Sequence, residues 1–143
     1  MKKNFRKENY LISTDKSKLN VKVIQDYLST SYWAKNRTLK TTKLTLKNSL
    51  CFGIFYKNSQ IGFARVVTDY ATFAYLADVF ILEAHRKKGL AKWLMEVILN
   101  YNELQNLRRW FLATKDAHSL YEKFGFTNLK EPEKLMEMFR KDL

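Results

Sequence analysis

A chain of 143 residues is long enough for one globular domain with a single hydrophobic core. With 46% hydrophobic residues, one Pro and four Gly, it is too apolar for a disordered protein and too poor in turn-forming residues for an all-β scaffold of many hairpins. Lys and Arg outnumber Asp and Glu by 26 to 14, and the resulting net charge of +12 favours anionic partners, either nucleic acid or a small ligand with several phosphates.

Targeting signals and cysteine usage indicate an intracellular protein. The basic first residues continue into Lys7-Glu8-Asn9 instead of an apolar stretch, and no run approaches the roughly eighteen apolar residues that span a bilayer. The single Cys51 lies in an apolar run, which indicates a packed thiol rather than a nucleophile. No His or Cys spacing typical of a metal site is present. We therefore expect a cytoplasmic protein with no metal and no membrane partner.

In chain order, the first predicted elements are a short strand and two helices. A short apolar run predicts a strand at Tyr10–Ser13, and apolar residues at 3.6-residue spacing predict a helix that ends near Leu28 and is capped by Asp15 or Ser17. Residues 39–48 fit either a strand or a helix, and the family resemblance described below favours the helix.

The middle of the chain predicts three antiparallel strands in succession. Residues 49–56 and 60–68 are two strands joined by the hairpin Lys57-Asn58-Ser59, and the turn Asp69-Tyr70-Ala71 leads into a third strand over residues 73–82. A helix over residues 89–102, a strand over 108–114 and a short helix from a cap at Asp116 to residue 124 follow. Gly125 ends that helix, and residues 136–140 add a final strand.

The junction between the third of these strands and the helix at residue 89 has the features of a phosphate-binding loop. Three consecutive cations, Arg86-Lys87-Lys88, precede Gly89, the residue that lets a backbone come close to a ligand. The helix that follows presents amides without intrahelical partners and the positive end of its dipole. We therefore predict that this loop holds phosphate.

Two motifs in this chain resemble those of the GNAT superfamily of N-acetyltransferases. Arg86-x-x-Gly89-x-Ala91 is similar to the loop on which that superfamily holds the pyrophosphate of acetyl-CoA, and the strand over residues 75–81 resembles the one leading into it. About thirty residues later, the segment from Ala117 to Phe126 is similar to the family pattern A-x-x-L-Y-x-x-x-G-F.

The resemblance implies both a fold and an activity. The fold is of the α/β class with mixed α+β character: a central mixed sheet of about six to seven strands, flanked by helices, with a splayed parallel strand pair, over residues 1–143 as a single domain. The activity is that of an acetyl-CoA-dependent N-acetyltransferase, which transfers the acetyl group directly to a primary amine in a ternary complex. The acceptor is a small-molecule or peptide amine. Whether the protein forms a homodimer is left open.

The resemblance also implies which residues contact the cosubstrate. Backbone amides of the strand before the loop hold the thioester carbonyl, the loop holds the pyrophosphate, Thr114 stands where many relatives have an Asn, and Tyr121 matches the general acid for the departing thiolate. The cofactor-binding set is Val79, Phe80, Ile81, Arg86, Lys87, Lys88, Gly89, Leu90, Ala91, Thr114 and Tyr121.

An amine acceptor must lose a proton before it can attack. For an alkylamine of pKa near 10.4, deprotonation at pH 7 costs about 4.6 kcal/mol. Asp78, an acid within an otherwise apolar strand, is the candidate base, because burial would raise its pKa. The same residue could instead anchor an ammonium group, or tie down a neighbouring backbone or Arg, and a water chain could replace the base.

Aromatic and polar residues on two segments are the candidate acceptor site. Tyr32, Trp33, Arg37, Asp69 and Tyr70 fall in segments that cover the acceptor side in the resembled family, although ordinary packing explains the aromatic residues equally well. A different class of function is a non-catalytic module that binds acyl-CoA or nucleic acid. Retention of Asp78 and Tyr121 argues against it, and because the basic residues are spread along the chain, a solvated surface is favoured over nucleic-acid binding.

Overall fold

The computed structural model describes residues 2–143, which form two compact units, one extending to Ala113 and one comprising Thr114–Leu143. The first unit contains six strands: β1 (Asn4–Lys7), β2 (Tyr10–Ser13), β3 (Leu50–Tyr56), β4 (Ser59–Thr68), β5 (Phe73–Ile81) and β6 (Arg109–Leu112). Its helices are α1 (Val21–Leu28), α2 (Leu39–Lys47) and α3 (Leu90–Leu99), and the second unit contains α4 (His118–Glu122). Among the described residues, no helix is long and apolar enough to cross a membrane.

All six strands form one mixed sheet in which neighbours in sequence are neighbours in space, in the order β1-β2-β3-β4-β5-β6. The first five strands are antiparallel, and β6 returns parallel to β5 after the α3 crossover. The predicted mixed sheet with a parallel pair is therefore confirmed.

Helices cover both faces of this sheet. On one face, Ile24 and Leu28 of α1 and Leu46 of α2 pack with Phe63 and Phe80 in a buried cluster. On the other face, Phe52 of β3 meets the ring of Tyr101, which follows α3, with ring centroids 5.2 Å apart. Strand alternation produces this division, because neighbouring side chains of a strand point to opposite faces.

Several local predictions need correction. Strand β1 was not predicted, and it pairs with β2 across a turn at Glu8, whose φ is +56°. The cap of α1 is Asn20, whose side chain accepts from the amide of Val23, whereas Asp15 caps a 3₁₀ turn before it. The predicted helix at residues 39–48 is confirmed as α2, and α3 is shorter than expected.

The second unit differs from the prediction at both its ends. Asp116 does not cap α4: the cap position is Ala117, which has no side-chain cap bond. Gly125 ends this segment with φ of +95°, as predicted. The final strand expected at residues 136–140 is absent from the described chain, where that stretch has no regular structure and the Met136 side chain is exposed. Apolar residues alone do not make a strand without a ladder partner.

Candidate active site

Strand β5 contains a one-residue bulge at Asp78. Phe63 of β4 pairs with Phe80, whereas Arg65 pairs with Ala77, so two residues of β5 lie opposite one residue of β4. Asp78 has φ of +54°, in the left-handed region that Asp enters more readily than most other non-glycine residues. Such a bulge bends its strand and redirects the side chains beside it.

Beyond the bulge, β5 has lost its parallel neighbour. The β5–β6 ladder runs from Phe73, opposite Arg109, to Leu76, opposite Leu112, where β6 ends. Within the described sheet, residues 77–81 therefore pair only with β4. Since successive residues of a strand direct their backbone groups to opposite sides, part of this backbone lies on the edge of β5 that has no strand partner after β6 ends; we call this edge the opening.

The loop after β5 has a backbone suited to anion binding. Lys87 and Gly89 both have positive φ, +63° and +74°, and a Cβ built on Gly89 would meet no atom within 4 Å. Helix α3 begins at Leu90 without a side-chain cap, and its first intrahelical bond runs from Trp93 N to Gly89 O. Its first three amides therefore lack intrahelical acceptors, as the sequence predicted for this junction.

Arg86 connects this loop to α1. Its Nε donates to the carbonyl of Ile81 at 2.9 Å, and its Nη2 donates to the hydroxyl of Tyr27 at 3.1 Å. The Tyr27 ring in turn stacks on Phe80, with centroids 4.2 Å apart and an interplanar angle of 12°. The Arg86 side chain thus ties the end of β5 to the helix, and Lys87 and Lys88, which follow it in the loop, are exposed.

Asp78 is the centre of a buried ionic cluster on the α1 side of the sheet. Its Oδ2 accepts from Arg37 Nη1 at 2.7 Å and from Arg65 Nε at 2.9 Å, and its Oδ1 accepts from Trp33 Nε1 at 2.8 Å. The side chain of Asp78 is 2% exposed, against 11% for Arg65 and 19% for Arg37. The cluster fixes the segment between α1 and α2 against the bulge.

These partners decide the ionisation of Asp78. Burial raises the pKa of the carboxyl, but the hydrogen bond from Arg37 and the charges of Arg65 and Arg37 outweigh it, so the pKa lies below its ordinary value. The raised pKa that the sequence led us to expect is therefore wrong in direction. A carboxylate with a lowered pKa and three donors is a weak proton acceptor, and the structure shows it tying down Arg37 and Arg65.

The predicted acceptor residues divide into two groups. Trp33 and Arg37 meet at Asp78, and the exposed ring of Tyr32 lies edge-on to Trp33 with centroids 5.1 Å apart. Asp69 and Tyr70 lie instead on the turn before β5, at the opposite end of that strand from the loop. Tyr70 is half exposed there.

The carboxylate of Asp69 is occupied by its own turn. It accepts from the amides of Ala71, Thr72 and Phe73 and from the Thr72 hydroxyl. The bond from the Thr72 hydroxyl and the turn amides hold the pKa of Asp69 well below its usual range. Its observed contacts are those of a turn-closing residue.

Sequence reasoning missed Arg65 and Tyr27. A charged residue inside the apolar β4 was the available signal for Arg65, because a buried cation requires a partner. Tyr27 fitted the apolar face of α1 and gave no signal of the bond that its hydroxyl accepts from Arg86.

Cys51 is packed, as predicted, and we expect it to be unreactive. It is 1% exposed, and burial raises the pKa of its thiol to about 11. At pH 8 the thiolate is then about one part in a thousand, and access is blocked as well. A disulfide reagent added to the native protein is expected to leave Cys51 unmodified, whereas protein unfolded in urea reacts at once. Rapid modification of the native protein would contradict this prediction.

The second unit carries the remaining predicted site residues. The Thr114 hydroxyl accepts from the amide of Ala117 at 3.0 Å, which orients the start of α4. The Tyr121 ring packs edge-on against Phe126 with centroids 6.0 Å apart, and the Phe126 amide donates to the Tyr121 carbonyl.

The family model of the GNAT acetyltransferases matches residues 20–126 of this chain, from the N-cap of α1 to Phe126 in the second unit. The chain belongs to the GNAT acetyltransferase family. Among similar proteins, a candidate acetyltransferase of Gibberella zeae, FG08082, is 33% identical over 153 residues, covering 90% of this chain and 85% of that protein. The uncharacterized N-acetyltransferase ycf52 of Porphyra purpurea is 30% identical over 139 residues, covering 93% of this chain and 77% of that protein.

Solved structures of GNAT proteins agree with the fold. A candidate GNAT acetyltransferase from Xanthomonas campestris superposes with a TM-score of 0.90 at 46% identity, over 92% of this chain and 93% of that one. A candidate acetyltransferase from Clostridium acetobutylicum, whose structure contains acetyl-CoA, shares the fold at a TM-score of 0.65 and 15% identity, over 94% of this chain and 97% of that one.

Proposed function

We propose that this GNAT acetyltransferase transfers the acetyl group of acetyl-CoA to a primary amine, directly and within a ternary complex. The observation that carries the proposal is the loop at Gly89. A Cβ at Gly89 would have open space around it, and helix α3 begins there without a side-chain cap. The loop follows the part of β5 that no longer pairs with β6. The acetyl-CoA in the C. acetobutylicum structure of the same fold supports this choice of cosubstrate. When bound, acetyl-CoA supplies the acetyl group as an activated thioester.

The residues of the loop fit a diphosphate. The amides of Leu90, Ala91 and Lys92 have no intrahelical acceptors, and the helix dipole places partial positive charge among them. Lys87 and Lys88 are exposed beside these amides and add two full charges. We propose that these backbone and side-chain groups bind the diphosphate. Arg86 stabilises the loop through its hydrogen bond to the Ile81 carbonyl.

We assign the remaining roles in this proposal to backbone of β5 and to the side chains of Thr114 and Tyr121. Amides between Val79 and Ile81, on the side of β5 without a ladder partner, hold the thioester carbonyl and stabilise the charge that develops on its oxygen. The Tyr121 hydroxyl donates a hydrogen bond or a proton to the departing thiolate. The Thr114 hydroxyl, whose oxygen already accepts from Ala117, keeps its hydrogen for the cosubstrate arm.

Asp78 has a positioning role in this proposal. Its lowered pKa makes it a poor base, whereas its bonds to Trp33 and Arg37 fix the segment that borders the amine side of the opening. The amine loses its proton to water. Positioning of the amine beside the thioester provides much of the acceleration of acetyl transfer.

Replacement of Gly89 tests the diphosphate grip. A Cβ at Gly89 meets no protein atom within 4 Å, but a Val side chain fills the space that the diphosphate needs, and φ of +74° is strained for a β-branched residue. We expect Gly89→Val to weaken coenzyme A binding, measured by calorimetry, at least about tenfold, which is roughly 1.4 kcal/mol. Acetylation of an amine panel, followed by mass spectrometry, should fall in parallel.

Asn58→Val is the matched control for backbone strain. Asn58 lies in the β3–β4 hairpin with φ of +72°, within two degrees of the value at Gly89. The two variants should lose similar stability, about 1–2 kcal/mol, while Asn58→Val keeps the affinity of the wild type for coenzyme A. No heat of binding with wild-type protein, or equal affinities for the two variants, would refute the assignment.

A further inference from the structure

Arg37 is held in place by Asp78 with most of its hydrogen-bonding capacity unused. A guanidinium has five N–H donors, and within the described residues the only bond from this side chain is that of Nη1 to Asp78. No buried side-chain nitrogen or oxygen of the described chain lacks a partner, so the other donors of Arg37 reach solvent. The backbone is fixed as well, because Gln25 Nε2 donates to the Arg37 carbonyl at 2.7 Å.

The charge of this cluster is unbalanced. Arg37 and Arg65 together carry two positive charges, and Asp78 supplies a single negative one, which leaves a net charge of +1 within the cluster. Asp69, the other acid among the proposed acceptor residues, is held by its own turn. The site therefore attracts an anionic group and repels additional cations.

Two aromatic rings adjoin this cluster: Trp33 donates to the same carboxylate as Arg37, and the Tyr32 ring lies edge-on to Trp33. Trp33 is 39% exposed and Tyr32 55% exposed, and the bond from Trp33 Nε1 to Asp78 fixes the orientation of the indole. The Asp78 carboxylate thus positions both the Arg37 guanidinium and the Trp33 ring next to the bulge of β5. Arg pairs with carboxylates through two parallel N–H donors, a geometry that a pre-positioned guanidinium favours.

We infer that the acceptor is a primary amine that also carries a carboxylate and an apolar group, as an apolar amino acid does, with Arg37 as the residue that selects the carboxylate. This inference rests on the proposed function and specifies its acceptor. The positive cluster also disfavours a protonated amine beside it, and thereby increases the share of the reactive free amine.

Phenylalanine and phenylalanine amide form the test pair, because the amide replaces the charged carboxylate by a neutral group of similar size and keeps the rest of the skeleton. The amide has the less basic amine, so intrinsic reactivity at neutral pH favours the amide and works against the inference. With acetyl-CoA and release of free thiol as the readout, we expect kcat/KM for phenylalanine to exceed that for its amide at least tenfold. Arg37→Gln should reduce this preference to within about twofold.

Lys35→Gln is the matched control, since it removes the same formal charge from an exposed position in the same segment and should keep the preference of the wild type. If Arg37→Gln does not fold, Arg37→Lys, which keeps the charge but loses the fork, is expected to reduce the preference by several-fold. Equal rates with both compounds in the wild type, or an unchanged preference in the folded Arg37 variant, would overturn the inference.

A binding measurement separates this inference from the proposed function. With coenzyme A present, phenylalanine should raise the Tm of the wild type, whereas neither the amide in the wild type nor phenylalanine in Arg37→Gln should do so. Absence of coenzyme A binding refutes the proposed function. Coenzyme A binding without a Tm rise from phenylalanine refutes the acceptor inference alone.

Discussion

Asp78→Ala is expected to lower the free energy of unfolding by about 3 kcal/mol, the lower end of the range for removing one partner from a buried ion pair. The substitution leaves Arg37 and Arg65 without their shared acceptor, and both side chains are less than one-fifth exposed. It also removes the acceptor of the Trp33 indole. Urea unfolding of the two proteins measures the difference, and a loss below 1 kcal/mol would contradict the described cluster.

Asp78→Asn separates the charge from the backbone conformation, because Asn also tolerates φ of +54°. We expect a smaller loss than in the Ala variant at neutral pH, since one oxygen still accepts. Because the pKa of Asp78 is lowered in the folded state, its contribution is complete above the ordinary value of 3.8 and is lost as the pH falls through the lower folded pKa. The stability difference between wild type and Asp78→Asn should therefore be constant near neutral pH and shrink in acid below that value.

Tyr121→Phe is expected to reduce kcat about 100-fold if the hydroxyl assists the departing thiolate, a magnitude typical of general acid catalysis. The variant keeps the aromatic ring that packs on Phe126. The KM for acetyl-CoA should stay within about twofold, because the lost interaction is made mainly in the transition state. Steady-state kinetics with saturating amine measures both constants.

Tyr56→Phe provides the control for the loss of a phenolic hydroxyl. Tyr56 is a half-buried residue of β3 whose ring contacts Tyr10 and His85, outside the proposed machinery. Its substitution should leave kcat unchanged. A Tyr121→Phe enzyme with the kcat of the wild type would remove Tyr121 from the mechanism.

Locally encoded features of this fold were predictable. Short apolar stretches bounded by turn residues located β3, β4 and β5 to within about one residue, because each strand buries most of its own side chains. The strand, basic loop and helix around Gly89 were likewise evident from residues adjacent in sequence. Strand β1 escaped notice because its pairing with β2, rather than its own sparse apolar content, holds it in the sheet.

The ionic cluster could not be predicted, since it depends on contacts distant in sequence. Trp33 and Arg37 precede Asp78 by 45 and 41 residues, and Arg65 by 13. The pKa of Asp78 follows from the sum of burial and these charges, and the sequence, which left an Arg partner open, did not identify Arg37 and Arg65 as the residues that supply them. The prediction of a strand at residues 136–140 was wrong for a different reason. The apolar residues of this segment suggested a strand, but the described sheet provides no strand that pairs with it.

The two hydrogen bonds that Arg86 donates, to the Ile81 carbonyl and to the Tyr27 hydroxyl, have a thermodynamic consequence. These bonds join the loop after β5 to α1, the helix that leads into the segment carrying Trp33 and Arg37. If occupancy of the loop changes affinity for the amine through this link, linkage requires the amine to change affinity for coenzyme A by the same factor. Breaking the link with Arg86→Ala should then make the two ligands bind independently, even where each still binds alone.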